Sequence, residues 1–218
     1  MGMTTTARRS KPRAEPVTPG QVRIVPANQA SREDLAAVFG STGYPAACQC
    51  QHFKIPSRSW RSCTREQRAA MLRAQTACGD PGAGATSGLV AYVDGDPAGW
   101  VAVEPRIAYP KLRTTQIPWR GRAEDAGDES VWAVTCFCVR AGFRGRGLMY
   151  HLAAATVGFA RDCGARALEA YPMITQPGQK IIWGEEYVGV RQVFADAGFA
   201  EVSHPTPRRV VMRMEFGE

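Results

Sequence analysis

Between residues 140 and 147 three arginines, Arg140, Arg144 and Arg146, are interleaved with three glycines, Gly142, Gly145 and Gly147, and no acid interrupts them. That combination suits an oxyanion. Glycines let successive backbone N–H groups converge on one point, a helix opening there adds partial positive charge, and guanidinium groups supply charged donors. Phosphate is the natural guest, with Gly145 and Gly147 leaving room for the backbone to approach a pyrophosphate. The run lacks both the Gly-x-Gly-x-x-Gly spacing with a later acid and the Gly-Lys-Ser/Thr ending, so it is neither a dinucleotide fingerprint nor a Walker loop. A basic turn whose glycines serve only backbone geometry is the structural alternative.

Soft nucleophiles form a second group. Cys48, Cys50 and His52 lie close together, but the spacing has no Cys-x-x-Cys pair and no second ligand pair, so no metal is expected and reduced thiols near a pocket are the simpler account. The seven cysteines (Cys48, Cys50, Cys63, Cys78, Cys136, Cys138 and Cys163) are odd in number and follow no secretion signal, which argues against a disulfide framework. Cys136 and Cys138 share one face of a strand by alternation.

The elements that must position these groups can be read from periodicity. Val22 to Val25 alternate as a short strand. Ser31 to Asp34 resembles a capping box, opening a helix with Leu35, Val38 and Phe39 on one face and Gly40 as its stop. Thr64 with Gln67 predicts a second helix carrying Met71 and Leu72 and ending at Gly79. Leu89 to Val93 and Trp100 to Val103 flank an Asp94-Gly95 turn as a hairpin. Some 27 residues of connection precede the next strand, Val131 to Val139; they carry Tyr109, Trp119 and several arginines and are expected to cover the substrate. After the arginine-glycine turn, Leu148, Leu152, Ala155 and Phe159 mark a helix closed by Gly164. Ala167 to Tyr171 is the next strand and residues 172–183 an irregular loop. Val190, Val193, Phe194 and Ala197 line a last helix, with Gly198 at its C-cap and Phe199 as the hydrophobic contact. A terminal strand pair follows. The fold class is therefore α/β (α+β), a mixed, mostly antiparallel central sheet flanked by helices.

At 218 residues the chain fits one full-sized domain with something left over, and its 44% hydrophobic and 22% charged residues are ordinary for a globular protein. Residues 1–20 hold Arg8, Arg9, Lys11 and Arg13 against Glu15, a net +3 of the total +7, so much of the basicity belongs to a leader with almost nothing to bury. That leader, 1–20, is expected to be disordered, and residues 21–218 to form the domain. Nucleic acid is accordingly not an expected partner. No run approaches the roughly 18 apolar residues of a membrane helix and no signal-peptide core follows the basic start, so no membrane partner and a cytoplasmic location are expected.

From Val139 the run Val-x-x-x-x-Arg-Gly-x-Gly-Leu, followed by a helix, a strand and a helix ending at Ala197-Gly198-Phe199, resembles the GCN5-related N-acetyltransferase (GNAT) superfamily, most closely over residues 131–199. The resemblance implies splayed middle strands, Val131–Val139 and Ala167–Tyr171, that hold the pantetheine arm of acetyl-CoA through the backbone of Phe137, Cys138 and Val139. Arg144, Gly145, Arg146, Gly147, Leu148 and Met149 match the pyrophosphate loop, with Met149 where the family usually has Gly or Ala. Acetyl-CoA is thus the implied cosubstrate and an unidentified amine the implied acceptor, of a small molecule or a protein. Homodimerisation is an open alternative.

Direct attack of a neutral amine on a thioester needs a base for the amine proton, a donor for the oxyanion and an acid for the thiolate. An N–H near Val139 is the candidate oxyanion donor. Leu168-Glu169-Ala170 resembles the Leu-Glu-Val strand of the ribosomal-protein alanine acetyltransferases, which implies Glu169 as a base working through water; the alternative is a partner for a nearby arginine. The family's usual tyrosine acid is Phe194 here, leaving Tyr171 and Tyr187 as candidates. An acyl-cysteine route through Cys136 or Cys138 ranks below direct transfer, because buried strand cysteines are usually inert. A CoA-binding module without turnover is the alternative function.

Overall fold

The computed structural model describes residues 14–175 and 186–217. Strand β1 (Val22–Pro26) leads to helix α1 (Arg32–Phe39), where Ser31 Oγ accepts from the Asp34 N–H at 3.0 Å and Leu35, Val38 and Phe39 are buried. Gly40, at φ +68°, stops the helix. A short helix with no periodic signal, α2 (Gly43–Cys48), follows, and α3 (Arg65–Thr76) opens on a reciprocal capping box between Thr64 and Gln67. It ends before Gly79 because Ala77 itself takes the left-handed cap conformation. Strands β2 (Leu89–Val93) and β3 (Asp96–Pro105) join through Asp94 and Gly95, both at positive φ as a type I′ turn requires.

The remaining elements are β4 (Val131–Val139), α4 (Leu148–Asp162), β5 (Ala167–Ala170), α5 (Arg191–Asp196), β6 (Ala200–Thr206) and β7 (Arg209–Glu215). Helix α5 closes as its sequence implies, with Gly198 at φ +91° and the Phe199 N–H donating to Phe194 O at 3.0 Å. The irregular loop read over 172–183 lies mostly outside the described residues.

The strands form one mixed sheet of order β1-β2-β3-β4-β5-β7-β6. Among the pairings of these described strands, β4–β5 alone is parallel. Alternation along β3 sends Val101 and Val103 into a core with Leu148 and Leu152 of α4, and Trp100 and Ala102 into a second core with Leu35 and Phe39 of α1. Helices thus cover both faces, as expected.

One register feature positions the site. The β4–β5 ladder runs from Val131↔Ala167 to Val134↔Ala170 and stops where β5 ends, while β4 continues to Val139 and stays paired with β3 as far as Gly99↔Val139. From Thr135 to Val139, β4 therefore has one paired edge and one that β5 leaves open. Alternate residues there turn backbone donors and acceptors toward the gap.

The described end of the leader departs from expectation. Residues 14–20 are exposed except for Val17, which anchors them: it is buried in the α4-side core, its N–H donates to Arg146 O at 2.9 Å, and Arg146 Nε donates to Glu15 O at 3.0 Å. A single apolar side chain with two backbone contacts fixes a segment whose composition otherwise has little to bury.

Candidate active site

A cavity of about 400 Å³ opens beside the free edge of β4. Its walls are Phe137, Cys138 and Val139 of β4, the turn residues Arg144, Gly145 and Gly147, and Leu148 and Met149 of α4. Gly145 and Gly147 have φ of +73° and +80°, the left-handed region where glycine carries no steric penalty. Gly147 caps α4 without any side-chain hydrogen bond and no acid sits in the first turn. The orphan N–H groups and dipole of a fifteen-residue helix thus face the cavity.

Among the arginines of the turn, only Arg144 lines the cavity. Arg140 donates to Pro97 O at 3.1 Å, and Arg146 turns away to Glu15. The structure therefore brings every residue expected to hold acetyl-CoA except Arg146 to one cavity, and the open strand edge followed by an anion-accepting helix start fits a pantetheine arm ending in a diphosphate.

The family model described as the acetyltransferase (GNAT) family matches residues 52–178. The chain belongs to this family. Enzymes of the GNAT family use acetyl-CoA as cosubstrate. Among solved structures, yncA of Salmonella typhimurium, determined with its cofactor acetyl-CoA, is 17% identical and superposes with a TM-score of 0.51 over 91% of this chain and 95% of its own. A GCN5-related N-acetyltransferase from Kribbella flavida is also 17% identical, with a TM-score of 0.48 over 91% of this chain and 100% of its own. At that identity the likeness to yncA establishes the fold, including the mixed sheet. No curated protein matches.

The rest of this GNAT cavity comes from the predicted helix α1, from the thiols Cys48 and Cys50 that the sequence placed near a pocket, and from α2, a helix that the sequence did not mark. Phe39 of α1, Tyr44, Pro45 and Cys48 of α2, and then Cys50 complete the lining, together with Cys136 of β4 and Tyr187. Helix α3 and the connection over 104–130 contribute nothing to it. Only the Gly43 to Pro45 break could have hinted at α2, and it reads equally as a turn.

Glu169 is corrected by its surroundings. Its side chain is 0% exposed and absent from the cavity wall. Oε2 accepts from Arg106 Nη1 at 3.0 Å and from the Tyr171 hydroxyl at 2.9 Å, while Oε1 accepts from Arg213 Nη1 at 2.6 Å and from Arg122 Nη2. Burial alone would raise its pKa, but the hydrogen bonds and charges of Arg122, Arg106 and Arg213 outweigh burial and hold it below the usual carboxylate value. A carboxylate so satisfied has no lone pair for a catalytic water, which leaves it as the arginine partner that the sequence also allowed.

The 104–130 connection, expected to cover the substrate, instead lays Arg106, Tyr109, Leu112 and Arg122 onto the sheet over Glu169. Arg106 also donates to Asp125 O at 2.6 Å and lies 4.7 Å from the Trp119 ring, so the segment is pinned down rather than poised over the cavity.

Tyr171 shares the fate of Glu169, being 2% exposed with its hydroxyl committed to that carboxylate. Tyr187 differs. It lines the cavity beside Cys136, and its ring packs against His52, Phe53 and Tyr44 at 5.6, 6.1 and 6.3 Å. Burial first, and then the neighbouring Cys136, pushes its pKa up to about 12, so the hydroxyl keeps its proton at neutral pH. Phe194 is fully buried between Phe137 and Phe199, which makes it a core residue. His52, with its pKa lowered to about 4 by burial and then by Lys111, is neutral at pH 7. Among the described residues, no group of three or more His, Cys, Asp or Glu is arranged to hold a metal ion, and no helix is long and apolar enough to cross a membrane.

Proposed function

We propose that this GNAT protein transfers the acetyl group of acetyl-CoA to a primary amine of a small molecule or a protein, by direct attack within a ternary complex. The observation that carries the reading is the continuity of one cavity, from the unpaired edge of β4 over Thr135 to Val139 into the uncapped start of α4. When bound, acetyl-CoA supplies the activated acyl group. The open edge offers backbone partners for the amide-bearing arm, and Gly145, Gly147, Leu148 and Met149 offer N–H donors for the diphosphate, with Arg144 alongside.

Tyr187 is the proton donor to the departing thiolate in this reading. It stands on the cavity wall, keeps its proton at neutral pH and replaces the hydroxyl that Phe194 lacks. Seven unpaired cysteines fit a reducing, cytoplasmic setting. The acetyl-CoA fit is tested by calorimetric titration with acetyl-CoA, CoA and ATP: binding of the first two but not ATP is expected, and failure of both would overturn it. In Tyr187→Phe, kcat is expected to fall about 100-fold, the scale of general acid catalysis, with acetyl-CoA affinity within threefold of the parent. An unchanged kcat would remove Tyr187 from the chemistry.

The second reading, a CoA-binding module without turnover, rests on the sealed Glu169 and on Phe194 in the core. It predicts tight acetyl-CoA binding with no CoA release across a broad amine panel, detected with a thiol reagent.

A further inference from the structure

The segment before β1 passes the arginine-glycine turn and grips one residue of it. The Val17 N–H donates to Arg146 O at 2.9 Å, and Arg146 Nε donates to Glu15 O at 3.0 Å. Val17 is 6% exposed, in the core that also holds Leu148 and Leu152 of α4. Beyond it the chain is tied to the β2–β3 hairpin. The Thr18 N–H donates to Gln21 Oε1 at 3.1 Å, Gln21 Nε2 donates to Asp94 Oδ2 at 3.0 Å, and the Asp94 N–H donates to Gln21 O at 2.9 Å. One buried side chain and a fixed turn therefore hold the Val17 N–H in place, although the residues on either side of it are exposed.

The direction of that bond bears on the cavity. Arg146 O and the Gly147 N–H belong to one peptide unit, which is planar and trans. Carbonyl and N–H point opposite ways in such a unit, so a donor that captures the carbonyl on one side turns the N–H to the other. Gly145 and Gly147 line the cavity, whereas Val17 and Arg146 do not. Glycine takes φ of either sign about as readily, so glycines on both sides of Arg146 leave the orientation of this peptide to an outside contact. We infer that Val17 is a positioning residue for acetyl-CoA: its main-chain N–H, by holding Arg146 O, sets the Gly147 N–H toward the diphosphate. The inference rests on the acetyl-CoA reading above. The coupling is reciprocal, because a phosphate oxygen that accepts from the Gly147 N–H polarises the peptide and makes Arg146 O a stronger acceptor for Val17. The Arg146 side chain is the lesser contact, since its removal leaves the main-chain bond and the buried Val17 in place.

The test is NMR titration of the isotope-labelled chain with CoA and with pantetheine, which has the same arm and no diphosphate. Val17→Pro removes the N–H and keeps an apolar ring, a chain beginning at Thr18 removes the whole contact, and a chain beginning at Ala14 retains it. The first two are expected to bind CoA about tenfold more weakly, the scale of one hydrogen bond to a charged group, with pantetheine affinity within about twofold of the parent. The chain from Ala14 should match the parent for both ligands. Unchanged CoA affinity, or an equal loss for pantetheine, would overturn the role of Val17. So would the same loss in the chain from Ala14, which would assign the effect to the charge of the leader. In the parent, amide exchange at Val17 is expected to slow about threefold or more on saturation with CoA but not with pantetheine. Exchange indifferent to CoA would overturn the inference even if the variants fail to fold. A parent that does not bind CoA would remove the acetyl-CoA reading and the inference together, whereas a parent and a Val17→Pro variant that bind it equally would remove the inference alone.

Discussion

Replacing Glu169 by Gln is expected to cost about 3–5 kcal/mol of folding stability, the range for removing one partner of a buried ion pair, and to lower the thermal midpoint by roughly 10 °C. The carboxylate is the common counter-charge for Arg106, Arg122 and Arg213, all of them nearly buried. A neutral amide would leave these guanidinium groups with Glu124, a quarter exposed and 3.2–3.9 Å from them, and, for Arg213, with half-exposed Glu215. The pH dependence follows from the same contacts. With its folded pKa depressed, Glu169 contributes stability that is fully present above the ordinary carboxylate pKa and is lost as pH falls through the depressed value. Urea unfolding from pH 7 down to pH 3 should show this acid-sensitive component in the parent and its absence in Glu169→Gln. A variant as stable as the parent, but slow and with a shifted pH–rate profile, would return Glu169 to the role of base.

Gly147→Val is expected to weaken acetyl-CoA binding at least 100-fold, a loss of about 2.7 kcal/mol, while the domain stays folded. A β-branched residue at φ +80° is strained, and relaxation would turn the first N–H groups of α4 out of alignment. No heavy atom lies within 4 Å of a Cβ placed there, so the protein itself tolerates the added bulk. That space borders the cavity where the diphosphate would lie. Arg146→Ala provides the contrast: its side chain is directed to Glu15, so affinity should change less than threefold. Calorimetric titration of both variants separates a site built from backbone donors from one that depends on general positive charge. Equal losses would favour the latter.

Features confined to a few consecutive residues were legible in the sequence. Ser31 and Thr64 cap helices, Asp94 and Gly95 turn a hairpin, and Gly198 with Phe199 closes α5, because each needs only its immediate neighbours. The arginine-glycine turn belongs with them, since strand, turn and helix start are adjacent in the chain and their dipoles align wherever that unit folds. Glu169 was visible as a strand carboxylate, but its arginine partners lie 44 to 63 residues away, on a connection and a strand whose approach no local pattern encodes. Tertiary packing alone decided that these arginines reach the carboxylate before a substrate could, and that residues 104–130 seal a sheet face instead of covering the cavity. It also decided the gap itself, because β4 outruns β5 only once their parallel register is set. The cavity wall of α2 and Cys50 depends likewise on buried glutamines and on Trp100 from β3. The sequence by itself determined which residues could bind an anion and where the chain would turn; long-range burial, which satisfies each charge with the nearest available partner, decided which of its reactive side chains remained available for chemistry.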